Sequence, residues 1–247
     1  APENELNLYN EINGESLCES VIDDLRNREA LKKAIIDFQP DFVFHLAGVN
    51  RPIEQSEFMT GNFGFTTALL KKLKENNNNC PIVLASSTQA ELDNPYGISK
   101  KAGEDAVRSH FSPQERGEKA LIYRFPNIFG KWCKPNYNSA VATFCNNIAN
   151  DLPISVNDPN VEMTLVYIDD VVEELIGALT NKATRDGDFC IVPTIHQLKL
   201  GQIVDLLYGF KEQRENLTVP NVTSNAFEKK LYATYLSYLP AAKFSYP

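Results

Sequence analysis

The feature that most constrains the fold is a short apolar run that changes abruptly into hydroxyl side chains. Residues 83–89 are Val-Leu-Ala-Ser-Ser-Thr-Gln. A continuous apolar run is typical of a parallel strand buried on both faces. Hydroxyl residues directly after it are typical of the carboxyl edge of the sheet, where ligands bind in open α/β folds. The sequence therefore predicts a strand over 81–86 that ends at a ligand-binding edge.

The next segment predicts a helix over 95–111. Asn94 suits the N-cap position, and Pro95 suits the first helical position because its φ is already fixed there. Tyr96 and Lys100 are four residues apart, so they share one face of the helix. A nearby cation favours the phenolate, and we expect Lys100 to lower the pKa of Tyr96 from about 10 toward neutrality. Such a tyrosine can exchange a proton with a substrate oxygen while hydride moves elsewhere.

Further strands and helices alternate along the chain, which predicts an α/β fold. The predicted strands are 17–25, 41–46, 120–125, 163–167 and 189–192, and the predicted helices are 27–38, 54–75, 139–150, 169–180 and 200–209. No G-x-x-G-x-x-G stretch, the phosphate-binding turn of dinucleotide folds, occurs in the sequence. We therefore expect a Rossmann-like, doubly wound parallel sheet without its first β-α-β unit, either because the chain is a fragment or because the loop is missing.

Two regions follow from this interpretation. Residues 1–130 would form the cofactor-binding core, which is incomplete at its N-terminus. Residues 131–247 would supply late core elements and a small C-terminal substrate lobe.

Composition excludes several classes of function. The 247 residues carry a net charge of −8, which leaves no basic face for nucleic acid. Five widely spaced cysteines favour reduced thiols and a cytoplasmic location, and neither they nor the three histidines form a metal-binding pattern. No apolar run is long enough to span a membrane.

Ser87, Tyr96 and Lys100 together resemble the catalytic triad of the extended short-chain dehydrogenase/reductases, which act on nucleotide sugars. The resemblance implies that Ser87 hydrogen-bonds a 4-keto oxygen and that Tyr96 protonates it as hydride arrives. Lys100 would lower the pKa of Tyr96 and hold the nicotinamide ribose. The implied cofactor is NADPH, with NAD as the alternative.

The resemblance also implies cofactor contacts outside the triad. Asp24 and Leu25 would meet the adenine, although Asp24 is equally consistent with a helix cap. Asn62 matches an asparagine that braces the active-site backbone, and its alternative is a helix-surface amide. Residues 45–48, His-Leu-Ala-Gly, match a family signature at which the backbone approaches the cofactor. The implied cofactor-binding residues are Asp24, Leu25, Leu46, Ala47, Gly48, Asn62, Ala85, Ser86, Tyr96, Lys100, Phe125 and Pro126.

A basic, aromatic and amide-rich run at 131–139 suits stacking on a base and pairing with a diphosphate. The alternative is that Trp132 fills a hydrophobic gap. Arg51 would pair with the diphosphate or remain solvated. The R-x-x-N-x-x-G element at 124–130 implies that Asn127 holds the sugar nucleotide. The implied substrate-binding residues are Asn50, Arg51, Thr88, Gln89, Asn127, Lys131, Trp132, Lys134 and Asn138.

Within the family, residues 86–247 are similar to reductases of capsular and surface polysaccharide synthesis. These enzymes reduce the C4 keto group of UDP-linked 6-deoxy-N-acetyl-hexuloses. Residues 21–47 are more similar to nucleotide-sugar 4,6-dehydratases, so a hybrid or divergent gene is one interpretation. Dehydration is disfavoured because Thr88 and Gln89 occupy the positions of the acid–base Asp-Glu pair, and neither exchanges protons at neutral pH. The resemblance implies a homodimer, and a C-terminal cupin domain in full-length relatives.

Two other functions stay open from the sequence. One is a C4 epimerase, which uses the same triad but retains its NAD. The other is a nucleotide-sugar-binding module whose cofactor binding is impaired because the glycine-rich loop and its backbone donors are missing.

Overall fold

Two sheets with helices around them make up the structure. The computed structural model describes residues 39–216 and 226–243. The strands are β1 (Val43–His45), β2 (Ile82–Ser87), β3 (Ala120–Phe125), β4 (Asn127–Phe129), β5 (Glu162–Tyr167), β6 (Arg185–Asp186), β7 (Phe189–Cys190) and β8 (His196–Lys199). The α-helices are α1 (Phe65–Glu75), α2 (Pro95–His110), α3 (Arg116–Lys119), α4 (Ala140–Ala149), α5 (Ile168–Leu179), α6 (Leu200–Glu215) and α7 (Ala226–Leu236).

The larger sheet has the strand order β1-β2-β3-β7-β6. Strands β1, β2, β3 and β7 are parallel, and β6 pairs antiparallel with β7. In the β2–β3 register Ser86 lies beside Arg124 and Ser87 beside Phe125. Both strands therefore end at the same edge, and Ser87 is at that edge.

Helices cover both faces of this sheet, which confirms the predicted doubly wound α/β fold. On one face, α1 and α2 pack on the strands through the buried residues Leu69, Leu70, Leu73, Ile82, Leu84, Val107, Phe111 and Ile122. On the other face, α5 packs through Val83, Leu121, Tyr123, Phe125, Val166, Val171 and Ala178. Alternate residues of β2 and β3 thus face opposite cores, as strand geometry requires.

A smaller sheet of order β4-β5-β8 packs against α4, α6 and α7. Its core contains Phe129, Phe144, Ile148, Leu165, Ile203, Leu207, Phe227, Leu231 and Tyr235. Only Pro126 separates the end of β3 from the start of β4. The chain therefore passes from the larger sheet to the smaller one within a single residue, at the edge that carries Ser87.

The structure differs from the sequence prediction in several elements. Strand β1 is shorter than the predicted 41–46, and Phe44 and Leu46 are exposed. The predicted helix 54–75 begins with a π-helical turn at Met59–Gly64 and only then continues as α1. Strands β4, β6 and β8 and helices α3 and α7 were not predicted. The predicted strand 17–25 and helix 27–38 lie outside the described residues.

Among the helices in the described part of the chain, none is both long enough and apolar enough to cross a bilayer. Within the same residues, no three His, Cys, Asp or Glu side chains are grouped so that they could hold a metal ion.

Candidate active site

A cleft of about 720 Å³ opens at the carboxyl edge of the larger sheet. The predicted site residues that line it are Leu46, Gly48, Asn50, Ala85, Ser86, Ser87, Thr88, Gln89, Tyr96, Lys100, Phe125, Pro126, Asn127, Lys131, Trp132 and Asn138. The predicted residues Ala47, Arg51, Asn62 and Lys134 do not line it. Asp24 and Leu25 lie outside the described residues. The structure thus brings the triad and most of the predicted contacts into one cavity.

The start of α2 fixes where the tyrosine and the lysine lie. The Asn94 side chain caps the helix by accepting a hydrogen bond from the Gly97 amide at 2.8 Å, and Pro95 occupies the first turn, as predicted. A Cβ on Gly97 would lie 2.3 Å from the Gln89 carbonyl oxygen. Glycine therefore permits the close approach of the helix start to the segment that follows Ser87.

Lys100 is buried beneath the cleft and is held by the end of β2. Its Nζ donates a hydrogen bond to the Ala85 carbonyl oxygen at 2.6 Å. Burial lowers the pKa of Lys100 to about 8, and the negative charge of Glu104 opposes that shift. The ammonium is therefore close to its titration range near neutral pH, unlike an ordinary surface lysine.

The Tyr96 phenol has the opposite pKa shift from the one predicted. Partial burial raises its pKa, and a hydrogen bond with the Ser87 side chain opposes that rise. The Lys100 ammonium donates to the Ala85 carbonyl, and the expected lowering of the Tyr96 pKa by Lys100 is not observed. The Phe58 ring packs edge-on against the Tyr96 ring with centroids 5.6 Å apart, which contributes to the burial. The phenol is thus protonated at neutral pH.

Ser87 lies between the strand and a short 3₁₀ helix, Thr88–Glu91. Its hydroxyl oxygen accepts a hydrogen bond from the Gln89 amide at 3.2 Å. The hydroxyl can still donate its proton, because accepting that bond uses only a lone pair. Thr88 and Gln89 are exposed at the cleft.

Asn62 lies in the π-helical turn and is buried, so the interpretation as a helix-surface amide is wrong. Its Oδ1 accepts from the Val49 amide at 2.8 Å, and its Nδ2 donates to the Val49 carbonyl oxygen at 3.1 Å and to Ser99 Oγ at 2.9 Å. A Cβ on Gly48 would lie 2.9 Å from Oδ1. The amide therefore braces the backbone after β1 against α2, and glycine lets that backbone pass close to it.

The described residues fit the nicotinamide end of a dinucleotide. The cleft has an apolar wall at Phe125 and Pro126, and Lys100 and Tyr96 supply polar groups next to it. Gly48 lines the same cleft and has no side chain, so its backbone is open to a ring that enters the cleft. The adenine-side residues predicted from the sequence are outside the described part.

The mouth of the cleft carries cations and aromatic rings. Trp132 is 83% exposed with φ +62°, so the interpretation that it fills a hydrophobic gap is wrong. The Lys131 ammonium pairs with Asp169 at 3.1 Å. The Arg51 guanidinium and the Lys134 ammonium lie 5.7 and 5.4 Å from the centroid of the Tyr137 ring. Arg51 and Lys134 are therefore next to the cleft through Tyr137, although they do not line it.

Sequence reasoning missed part of the lining. The missed residues are Ile128, Phe129, Gly130, Cys133, Tyr137, Ser139, Ala140, Val141, Met163, Leu165 and Ile168. Most belong to β4, β5 and the start of α4, which reach the cleft through tertiary packing that no local pattern reveals. Cys133, Tyr137 and Ser139 belong to the basic and aromatic run at 131–139, and that run was the signal that could have found them.

Comparison with known proteins agrees with this geometry. The model of the NAD dependent epimerase/dehydratase family matches residues 5–191. The chain is 45% identical to UDP-2-acetamido-2,6-beta-L-arabino-hexul-4-ose reductase of Pseudomonas aeruginosa over 206 residues, which is 83% of this chain and 54% of that protein. It is 26% identical to CDP-paratose 2-epimerase of Salmonella typhi, over 78% of this chain and 69% of that protein.

Solved structures give a similar result. The capsular polysaccharide assembling protein CapF of Staphylococcus aureus superimposes with a TM-score of 0.76 at 46% identity, covering 93% of this chain and 59% of that one. A UDP-glucuronic acid 4-epimerase of Bacillus cereus in complex with NAD has a TM-score of 0.68 at 17% identity, covering 87% and 79%, and shows the fold alone. The chain spans little more than half the length of the reductase and of CapF. The match of the family model over most of the chain shows that this protein belongs to the NAD dependent epimerase/dehydratase family.

Proposed function

We propose that this chain reduces the C4 keto group of a UDP-linked 6-deoxy-N-acetyl-hexulose with hydride from NAD(P)H. The observation that carries the proposal is the convergence of Ser87, Tyr96 and Lys100 on one cleft, with Lys100 fixed on the Ala85 carbonyl. The 45% identity to a hexul-4-ose reductase supports the choice of substrate. NADPH is the proposed cofactor, with NAD as the alternative, and the proposed location is the cytoplasm.

The protonation states of the triad suit reduction. Nicotinamide supplies hydride to C4 when it is bound. Ser87 donates a hydrogen bond to the keto oxygen and polarises the carbonyl. Tyr96 transfers its proton to the same oxygen as the alkoxide develops, and its raised pKa keeps that proton available beforehand. A proton from solvent then restores the phenol, and Lys100 holds the nicotinamide ribose.

The two sides of the cleft have different roles in this proposal. Residues 1–130 hold the cofactor, with Gly48, Phe125 and Pro126 against the nicotinamide. Residues 131–247 and the loop after β1 hold the sugar nucleotide. Lys131 is ion-paired with Asp169, so we assign the diphosphate to Arg51 and Lys134 instead.

A cofactor-consumption assay tests the proposal. The purified chain is mixed with NADPH and a UDP-linked 4-keto-6-deoxy-N-acetyl-hexulose, and the loss of NADPH absorbance is compared with the product formed. We expect one NADPH oxidised for each keto group reduced. Tyr96→Phe should lower turnover about 10²- to 10⁴-fold, because it removes the proton donor. Its far-ultraviolet circular dichroism should match that of the wild-type protein.

Other outcomes would contradict the proposal. Interconversion of C4 epimers without net NADPH loss, together with NAD retained through purification, would indicate an epimerase. Calorimetric titration that detects the UDP-sugar but neither NADPH nor NADH would indicate a binding module. Wild-type turnover in Tyr96→Phe would exclude the assigned role of the tyrosine.

A further inference from the structure

An ion pair with a buried carboxylate lies on the helix that carries Tyr96 and Lys100. Glu104 on α2 is 0% exposed. Its carboxylate accepts two hydrogen bonds from Arg124 on β3, at 2.9 Å from Nε to Oε1 and 2.7 Å from Nη2 to Oε2. Ser86 Oγ donates a third at 2.5 Å. A buried charge is tolerated only when it is paired and hydrogen-bonded in this way.

The Glu104–Arg124 pair is in contact with the 3₁₀ helix, with β7 and with the end of β2. Arg124 also donates to Glu91 in the 3₁₀ helix at 2.8 Å, and the Phe189 ring lies 3.8 Å from its guanidinium carbon. Through Ser86, Glu104 holds the end of β2. That end supplies the Ala85 carbonyl that receives the Lys100 ammonium, and it carries Ser87.

Glu104 also faces Lys100 along the helix. The two residues are four apart on α2, so their side chains lie on one face, one turn from each other. Lys100 is buried, and burial alone favours the neutral amine. The negative charge of Glu104 acts in the opposite direction and favours the ammonium.

We propose that Glu104 is a positioning residue: its carboxylate keeps Lys100 in the ammonium form and, through Ser86, fixes the strand end on which Lys100 and Ser87 depend. The effect on turnover rests on the proposed function. The effect on Lys100 protonation does not, so the two can fail separately.

The other titratable groups around Lys100 do not replace this effect. Tyr96 on the same helix carries its proton at neutral pH because its pKa is raised. His45 on β1 is neutral there as well, because burial lowers its pKa to about 4. Arg124 faces Glu104 rather than Lys100. Glu104 is therefore the negative charge that acts on Lys100 among the described residues.

Direct titration of Lys100 tests the inference without any substrate. The full chain is labelled with [ε-¹³C]lysine, the Lys100 signal is assigned with Lys100→Met, and its chemical shift is followed as the pH is raised. The wild-type midpoint should lie at about 8. Glu104→Gln should lower that midpoint by roughly one pH unit or more, since it removes the favourable charge.

Glu91→Gln is the matched control. It makes the same carboxylate-to-amide change on a partner of the same Arg124, but at a 71% exposed side chain. We expect the Lys100 midpoint of Glu91→Gln to equal that of the wild-type protein. An equal shift in both variants would overturn the inference, because the effect would then be transmitted by Arg124.

If Glu104→Gln alone does not fold, Glu104→Gln with Arg124→Met removes both buried charges and leaves no guanidinium unpaired. The midpoint should still fall, because Glu104 and not Arg124 acts on Lys100. An unchanged midpoint in a folded Glu104→Gln or double variant would overturn the proposal. If the chain also reduces the keto-sugar, the alkaline limb of the pH profile of kcat should move to lower pH in the Glu104→Gln variant, together with the Lys100 midpoint.

Discussion

The protonation states at the site follow from burial of single side chains. Lys100 and His45 both have lowered pKa values, because desolvation disfavours their charged forms, whereas that of Tyr96 is raised because desolvation disfavours the phenolate. A rule based on sequence spacing predicted the reverse for the tyrosine. Four-residue spacing indicates a shared helix face, but it does not show that Lys100 is bonded to the Ala85 carbonyl.

His45 should make the folded state sensitive to acid. Its Nε2 lies 2.8 Å from Thr66 Oγ1, and that hydroxyl donates to the Asn62 carbonyl oxygen. Its pKa is lowered from 6.5 to about 4 in the folded chain. As pH falls from 6.5 toward 4, the unfolded chain binds a proton that the folded chain refuses, so stability is lost in that window. We expect a loss of about 3 kcal/mol from this residue.

Urea unfolding above pH 6.5 and close to pH 4 measures this loss. His45→Gln is the comparison, because an amide does not titrate. The acid-dependent loss should be smaller in the variant by the amount assigned to His45. Equal losses in both proteins would show that the imidazole does not carry the effect.

Helix α2 is the element on which the site depends most, because it carries both Tyr96 and Lys100. Its start was predicted from the sequence since the signals are local: a capping asparagine followed by proline.

The π-helical turn before α1 was not predicted, because it is held by contacts of Asn62 with Val49 and Ser99 that are distant in sequence. Strands β4 and β8 were missed for a similar reason, since each is short and pairs with β5. In α7 the four-residue spacing of the buried Phe227, Leu231 and Tyr235 is a helical signal that the sequence does carry.

Removing the cap of α2 should weaken this element. Asn94→Ala deletes the hydrogen bond to the Gly97 amide and should cost about 1 kcal/mol in the free energy of urea unfolding. Asn94→Asp is the matched control, because a carboxylate accepts the same bond and also suits a helix N-terminus. We expect it to keep the wild-type midpoint within experimental error. A stable Asn94→Ala protein would show that packing alone fixes the helix start.

At the scale of the whole molecule, the cleft forms where the larger sheet gives way to the smaller one. The sequence predicted the α/β class and the edge at which the cleft opens, because strand alternation and the 83–89 run are local. It did not predict that Pro126 alone joins β3 to β4, which brings the second sheet to the cleft. The exposure of the Trp132 ring at the mouth of the cleft likewise depends on the path of the loop 131–138 across the surface.

Trp132 is the only tryptophan in the chain and reports directly on this mouth. The proposal that it stacks on the base predicts that UDP quenches its fluorescence, and that uridine does so more weakly because it lacks the diphosphate. Arg51→Gln should weaken UDP binding several-fold and leave uridine binding unchanged, because one charged hydrogen bond is lost. The measurement is a fluorescence titration with each ligand.

Trp132→Phe supplies the blank, since that variant has no tryptophan emission. Unchanged emission at saturating UDP, with binding established by calorimetry, would contradict the stacking role. Equal weakening of UDP and uridine by Arg51→Gln would contradict the assignment of the diphosphate to Arg51.

The wide turn at Met59–Gly64 makes this site depend on chain length as well as on residue identity. Deleting one residue there would rewind the turn as ordinary helix and rotate the Asn62 amide away from the backbone that it braces. Every triad residue would still be present. A homologue that is compared only by its substitutions would therefore be judged intact. A deletion of one position would nevertheless have removed the contact between Asn62 and the Val49 backbone next to its cleft.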